Sequence, residues 1–405
     1  MLSLTKKYVL PMLLAALAAY LFFNAYTQRS VASFLWACSF GLICLTSITA
    51  IFRNTALTLI SLLVTLAIAE SALGYLPTLL VNKEAGKSGE VKQEAAYFSS
   101  TQTYNTPVYW QLGEFGSQPQ SGVFTAKKLA SNGEIIYDTV FTIGEDGFRV
   151  TPQYEAKQIH RMNFLGDSFT FGEGVADNQT MAYFTGEMIN RQKVQKLWPL
   201  QVKNYGIHGW GIHQSLAVLQ SKLDHQADVQ FVLTAPWHAS RAACADFFTM
   251  GSPRYVLEAS GLVTRNGYCR SFGWVERAPK VIRGLITSSK IFNLIQDSLF
   301  VVNNQDDQIN LYLGILKTIQ VQAKARGEQL IVGFIKADDM WFVGSYNNEK
   351  VLAQIRAAGI KVIDMTLAEQ SELLERRYYL HEQDKHPTSE ANLRRSQLLI
   401  SHLGS

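Results

Sequence analysis

Phe164-Leu165-Gly166-Asp167-Ser168-Phe169-Thr170-Phe171-Gly172 reads as an apolar strand that ends in a tight turn and passes at once into a helix. Gly166 permits an unusual backbone at the turn. Ser168 is left at the C-terminal edge of the strand beside a helix N-terminus, where free N–H groups favour developing negative charge. The same tripeptide also reads as a plain turn with an N-cap. The fold is decided by the recurrence of this strand-to-helix step. Met162–Leu165 as strand precedes a helix over Met181–Arg191, Gln201–Tyr205 precedes His213–Leu223, and Val229–Leu233 precedes a long amphipathic helix over Gln308–Arg326. Leu330–Phe334 precedes Glu349–Ala358, and Lys361–Ile363 precedes a closing helix over Ser389–Leu403. Such alternation predicts an α/β fold, a three-layer αβα sandwich around a mostly parallel sheet covered on both faces. The stretch 239–300 breaks the rhythm and reads as an insertion of the kind that shapes a substrate site.

Upstream the pattern changes. Residues 97–157 alternate apolar and polar positions, as in Glu134–Phe141, and are punctuated by Gly133 and Gly144, which predicts a small β-rich lead-in ending in a turn at Asp146–Arg149. Residues 81–96 are polar, with Gly86 and Gly89, a linker composition. Before them lie three apolar runs, Tyr8–Tyr26, Val31–Phe52 and Ala56–Leu80. Each is roughly 20 residues long, enough to cross a hydrocarbon core of ~30 Å. A cleavable signal peptide has a shorter apolar core and would not be followed by two more runs. Residues 1–80 are therefore expected to form three transmembrane helices. Lys6 and Lys7 before the first run and Arg53 after the second outweigh Arg29, which favours a cytoplasmic N-terminus and places the remainder outside. Glu70 inside the third run is by default a functional candidate, but the surrounding Ala, Ser and Gly favour a helix-contact or interfacial position.

The 405 residues carry a net charge of +4 without a basic run interleaved with aromatics, which argues against nucleic acid as a partner. No phosphate-binding glycine loop or dinucleotide fingerprint occurs, and no Cys/His spacing fits zinc, so neither a cofactor nor a metal is expected. The four cysteines are too few for a disulfide framework. Cys38 and Cys44 lie in an apolar run, whereas Cys244 and Cys269 could pair if that part faces an oxidising compartment.

Two further stretches can carry chemistry. Asp384-Lys385-His386-Pro387-Thr388 places an acid and a base in one loop before the last helix, as a nucleophilic serine requires. Asn204-Tyr205-Gly206-Ile207-His208-Gly209-Trp210-Gly211 follows a strand at the same sheet edge, where glycines let a backbone N–H approach a reacting oxygen. Read singly, these are also a polar pre-helix loop and a glycine-rich turn.

Together the three stretches resemble, in order, blocks of the SGNH/GDSL hydrolase family: Gly166-Asp167-Ser168 the first, Asn204–Gly209 the second, and Asp384 with His386 the last. The resemblance covers residues 158–405 and implies a flavodoxin-like SGNH catalytic domain. It implies Ser168 as nucleophile, His386 as general base and Asp384 as its orienting acid, with N–H groups of Ser168 and Gly209 at the oxyanion. The family's third block supplies an Asn that is absent from Leu233–Arg241, so His238 is the candidate donor in its place. Asp167, Asn204, Trp237 and Arg241 are weaker candidates for contacting substrate. Phe169, Phe171, Trp210 and Trp237 either stack on sugar rings or pack in the core. The family's common Asp-x-x-His is here Asp-x-His, with Gln383 at the usual acid position, an arrangement similar to SGNH-like enzymes of bacterial polysaccharide O-acetylation.

The reading is a serine esterase in the bacterial cytoplasmic membrane, its catalytic domain periplasmic or extracellular. It acts through a Ser168 acyl-enzyme on acyl or acetyl esters of envelope glycans, with the lipid bilayer and envelope-polysaccharide machinery as partners. Two alternatives share the fold: an O-acetyltransferase that passes the acyl group to a surface polysaccharide, and an inactive SGNH-like scaffold or binding protein.

Overall fold

The computed structural model describes residues 17–21, 33–40, 60–72, 101–105, 109–154, 156, 159–193, 197–223, 225–249, 251–270, 275, 279, 282, 286, 289–336, 346–367 and 377–403. The chain divides into two compact units, one comprising 1–88 and 271–299, the other 89–270 and 300–405.

The larger unit begins with strands β1 (Thr101–Tyr104), β2 (Trp110–Gly113), β3 (Gly116–Pro119), β4 (Gly122–Leu129) and β5 (Ile135–Ile143). β2 and β3 form a hairpin, and β1, β4 and β5 form an antiparallel sheet in the order β1-β4-β5. There follow β6 (His160–Gly166), β7 (Leu200–Gly206), β8 (Val229–Thr234), β9 (Pro253–Leu257), β10 (Val263–Tyr268), β11 (Gln329–Phe334) and β12 (Val362–Asp364). Five of these make a parallel sheet in the order β12-β11-β8-β6-β7. Relabelled by first appearance this is the 2-1-3-4-5 order of the flavodoxin-like doubly wound fold, whose crevice opens at the C-terminal ends of the strands where the order reverses.

Every residue of β8 is buried, as expected of a strand covered on both faces. The two faces are visible in β6, where successive side chains point opposite ways. Leu165 belongs to one buried cluster with Leu216, Ile315 and Val351 from the helices Ile212–Leu219, Gln305–Ala325 and Asn348–Ala357. Phe164 belongs to the other, with Ile189 and Leu399 from the helices Met181–Gln192 and Ser389–Leu403. The three-layer α/β architecture read from the sequence is thus present, with element ends within a few residues of those expected.

Three features depart from the reading. First, the stretch around Asp384 is not a loop. Tyr379–His381 (β13) and Asp384–Pro387 (β14) pair as a short antiparallel ribbon. Second, the region 239–300 is not one insertion. Its first part forms the helix Trp237–Ala242 and the β9–β10 hairpin within the larger unit, while 271–299 belongs to the other. Cys244 and Cys269 form a disulfide that closes this first part, with Cα atoms 5.2 Å apart. Third, the lead-in belongs to the same compact unit as the parallel sheet. The turn at Asp146–Arg149 forms as expected, closed by Gly144 N donating to Phe148 O at 2.8 Å. Arg149 then bridges Ile143 of β5 and Asn204 of β7. Its buried guanidinium reaches Asp177 Oδ1 at 2.8 Å, Gly172 O at 2.7 Å and Val175 O at 2.6 Å, tying the lead-in to the segment that follows Ser168.

In the smaller unit, residues 17–21, 33–40 and 60–72 are helical, one stretch within each apolar run. Most of the three runs, Cys44, and the linker 81–96 lie outside the described residues, and among the described residues no helix is long and apolar enough to cross a membrane. Glu70 meets another helix. Its carboxylate accepts from Ser289 Oγ at 3.0 Å and from the backbone N–H groups of Lys290 at 2.5 Å and Ile291 at 3.1 Å, at the start of the helix Lys290–Phe300. A carboxylate there satisfies N–H groups that have no partner within their own helix.

Candidate active site

Ser168 stands just beyond the C-terminal end of β6, at the crevice where the strand order reverses. Gly166 precedes it with φ +155, and a Cβ there would lie 2.7 Å from Leu233 O of the neighbouring β8 and 2.2 Å from Thr170 Oγ1. Only glycine lets the chain turn this close to the adjacent strand. Asp167 caps the short helix Ser168–Phe171, accepting from Phe169 N at 3.0 Å.

His386 arrives from the other end of the chain. Its Nε2 lies 2.7 Å from Ser168 Oγ, and its Nδ1 lies 2.5 Å from Asp384 Oδ1. Because β14 is a strand, side chains two residues apart share a face. Asp384 and His386 are both buried on that face, while Lys385 points away, its Nζ 4.4 Å from the centre of the Tyr379 ring. The strand thus lets an Asp-x-His spacing put both side chains on the Ser168 side. Gln383, at the position of the family's usual acid, is turned elsewhere, its Nε2 donating to Ser131 Oγ at 2.7 Å.

A further residue joins this relay. Lys128 of β4 places Nζ 2.6 Å from Asp384 Oδ2, with both side chains buried. Burial acts to raise the Asp384 pKa, but the His386 imidazole and the Lys128 ammonium more than offset it and hold the carboxyl below the usual aspartate range. Beside the relay is a second imidazole–carboxylate pair, His208 Nδ1 on Glu173 Oε2. Glu173 also accepts from Tyr137 Oη at 2.5 Å and from Gln102 Nε2 at 2.8 Å. Burial opposes the Glu173 charge, yet His208, with help from His386 and Lys128, holds its pKa far below the ordinary glutamate value. Sequence reasoning missed Lys128, Glu173 and His208 as site residues. Lys128 sits beside Lys127 in an unremarkable strand, and only the fold distinguishes the buried lysine from the exposed one.

These groups surround a pocket of about 280 Å³. Ser168, His386, Gly209, Glu173 and His208 line it from the side of the relay, and Gln102, Trp110, Ser117 and Lys128 from the lead-in. Arg241 and Phe248 complete the wall. Gly209 takes φ +72, with Phe248 Cβ only 3.1 Å from where its own Cβ would stand.

The remaining candidates are placed differently from the reading. His238 is buried and not among the pocket's lining residues, and its Nε2 lies 3.1 Å from Asp167 Oδ2. Burial drives its pKa down despite Asp167. It therefore does not take the place of the missing third-block Asn. Asp167 and Trp237 do not reach the pocket either. Asp167 Oδ2 accepts from Trp237 Nε1 at 2.8 Å and from Arg241 Nη1 at 2.9 Å, a buried brace behind Ser168. Asn204 is buried as well, its Oδ1 accepting from Gly206 N at 2.9 Å and its Nδ2 donating to Thr170 O at 2.9 Å, which locks β7 onto the short Ser168 helix. Arg241 alone of these four lines the pocket, and part of its guanidinium is committed to Asp167 and to Trp210 O at 2.8 Å. Phe169, Phe171, Trp210 and Trp237 are core residues. The aromatic side chains on the pocket wall are instead Trp110, 39% exposed, and Phe248. Among the described residues no cluster of His, Cys, Asp or Glu is arranged to hold a metal ion.

No protein family's sequence profile matches the chain, and no curated protein matches it either. Solved structures similar to it include a member of the lipolytic G-D-S-L family from Veillonella parvula, at 11% identity and a TM-score of 0.33, covering 60% of this chain and 97% of that one. An acetylxylan esterase from Geobacillus stearothermophilus is similar at 13% identity and a TM-score of 0.36, over 61% and 94% of the two chains. An acetyl xylan esterase from the rumen bacterium Butyrivibrio proteoclasticus is similar at 11% identity and a TM-score of 0.31, over 75% and 82%. Likeness of this degree leaves the chemistry to the geometry of the site.

Proposed function

We propose that the chain is a serine esterase that acts on acyl or acetyl esters through an acyl-enzyme on Ser168. The observation that carries this reading is the unbroken relay Ser168 Oγ–His386 Nε2, His386 Nδ1–Asp384 Oδ1, at 2.7 and 2.5 Å, opening on a pocket. His386 takes the Ser168 proton as Oγ attacks the ester carbonyl, and Asp384 stabilises the imidazolium that forms. The backbone N–H groups of Ser168 and Gly209 receive the oxyanion. His386 returns the proton to the departing alcohol as its C–O bond breaks. It then deprotonates an incoming water that cleaves the Ser168 ester, and the proton passes back to Oγ.

The glycan substrate is supported by the half-exposed Trp110 ring beside the polar Gln102 and Ser117 on the pocket wall, a surface on which a sugar ring can stack. The same feature favours a second reading, transfer of the acyl group to a sugar hydroxyl instead of water. Membrane anchoring with the catalytic unit outside rests on the three apolar runs. The Cys244–Cys269 disulfide adds to it, since such bonds persist in oxidising compartments.

The test uses the full chain in detergent with a fluorophosphonate probe and p-nitrophenyl acetate. Labelling and hydrolysis that vanish in Ser168→Ala are expected, and a folded wild type inert to both would leave the scaffold reading in its place. Adding a glycan acceptor divides the two enzymatic readings, because acetate released without acetylated glycan excludes transfer to that acceptor.

A further inference from the structure

Two adjacent lysines in β4 have opposite fates. Lys127 points outward, 41% exposed, 3.7 Å from Asp138. Lys128 points inward, with its side chain 6% exposed and its ammonium on a carboxylate 256 residues away in sequence. A buried ammonium is costly unless a well-placed anion compensates it. The anion chosen here is the acid of the relay, and Lys128 itself lines the pocket with Ser168 and His386.

We propose that Lys128 is a positioning residue of the Ser168–His386–Asp384 relay. Seated on Asp384 Oδ2, it fixes the carboxylate with Oδ1 on His386 and sets the charge that faces the imidazole. The lead-in is then a working part of the catalytic centre. The inference rests on the esterase reading.

The two oxygens of Asp384 divide the work. Oδ1 accepts from His386 N at 3.0 Å and pairs with His386 Nδ1 at 2.5 Å, while Oδ2 is held by Lys128 at 2.6 Å. Remove the ammonium and Oδ2 becomes a fully buried acceptor that has lost this partner, leaving the two bonds to Oδ1 alone to hold the carboxylate on the imidazole. Charge acts alongside position. A cation on the far oxygen weakens the pull of the carboxylate on an imidazolium. The charged and titratable groups around His386 come from several elements. Asp384 and Lys385 lie on its own strand, and Lys128 comes from β4 and Tyr137 from β5. Glu173 follows the Ser168 helix, His208 follows β7, and Arg241, braced on Asp167, lies on the pocket wall. Lys128 is the cation paired directly with the relay acid, so its removal leaves the carboxylate charge uncompensated beside the imidazole, and the acid limb of kcat/KM is expected at higher pH.

The experiment compares wild type, Lys128→Met, Lys128→Gln and Lys128→Arg as full chains. It follows p-nitrophenyl acetate hydrolysis from about pH 5 to 9, with the rate of fluorophosphonate labelling in parallel. Lys128→Met is expected to lower kcat by about 10- to 100-fold, with KM within about twofold, and to move the acid limb of kcat/KM to higher pH. Lys128→Gln can still donate to Oδ2, so it should recover much of kcat while keeping the displaced limb. Lys128→Arg should return the limb towards the wild-type position. Should Lys128→Met fail to fold, the Gln and Arg pair carries the test through the limb alone. Because Lys128 acts through Asp384, Lys128→Gln should change little further in an Asp384→Asn background. Neutral variants with wild-type kcat and an unmoved acid limb overturn the proposal. A wild type that neither labels nor hydrolyses overturns the esterase reading instead, so the two failures are told apart.

Discussion

Arg241 Nη1 lies 2.9 Å from Asp167 Oδ2, and both side chains are buried. Asp167 belongs to the tripeptide that contains Ser168, yet it faces away from the pocket and braces the helix Trp237–Ala242 through Trp237, His238 and Arg241. Burial would raise its pKa, but His238, Arg241 and Trp237 prevail and hold it far below the ordinary value. A carboxyl depressed in the folded state contributes stability above its unfolded pKa of about 3.9, and that stability is lost as pH falls through the folded pKa. Asp167→Asn leaves Arg241 buried without its full charge partner, and a loss of about 3 kcal/mol is expected at neutral pH. Urea unfolding at pH 7 and at pH 3 checks it. The variant should lie well below wild type at pH 7, and the gap should narrow at pH 3.

What the sequence disclosed and what it withheld follow from range. Strands such as Val229–Thr234 announce themselves by an unbroken apolar run, and the helix Gln305–Ala325 by its period, because both signals are local. Ser168, Asp384 and His386 were legible because each sits in a short stretch of unusual composition. Lys128 and Glu173 were not, because their role exists only in contacts that cross the chain, over 256 residues in one case. The misplacement of His238 has the same origin. Its sequence position predicts a strand end near the pocket, but the turn of the helix that carries it sets its ring on Asp167.

The order of damage within the relay is a second expectation. Ser168→Ala removes the nucleophile and His386→Asn the base, and either should lower kcat by at least about a thousandfold. Asp384→Asn keeps the shape but loses the charge that favours the imidazolium, so its loss should be large yet smaller than that of Ser168. Parallel rate measurements on the three variants, with fluorophosphonate labelling as a second readout, decide the ranking. Asp384→Asn as damaging as Ser168→Ala would contradict it.

The Cys244–Cys269 bridge closes a segment of sequence separation 25 that carries Phe248, a pocket-wall residue packed against Gly209. Replacing both cysteines with serine should cost about 3 kcal/mol of stability, chiefly by freeing the unfolded chain. A lower thermal midpoint for the double variant is the expected result. Reductant should lower the wild-type midpoint and leave that of the variant unchanged.

The register of β14 sets which side chains can reach His386. Asp384 and His386 share a buried face because they are two apart in a strand, and the intervening Lys385 points out. Gln383 lies just outside the strand, with Oε1 accepting from Ser131 N at 2.9 Å and Nε2 donating to Ser131 Oγ. Moving the acid to the spacing more common in the resembled family, as Gln383→Asp with Asp384→Asn, should therefore fail to restore activity. The new carboxylate would face Ser131, leaving His386 Nδ1 and Lys128 Nζ facing a neutral amide. The expected kcat of the double variant equals that of Asp384→Asn alone within about threefold, as for a substitution with no energetic coupling to the site. Recovery to near wild type would mean that the segment around 383 can move and that the strand register does not govern the relay.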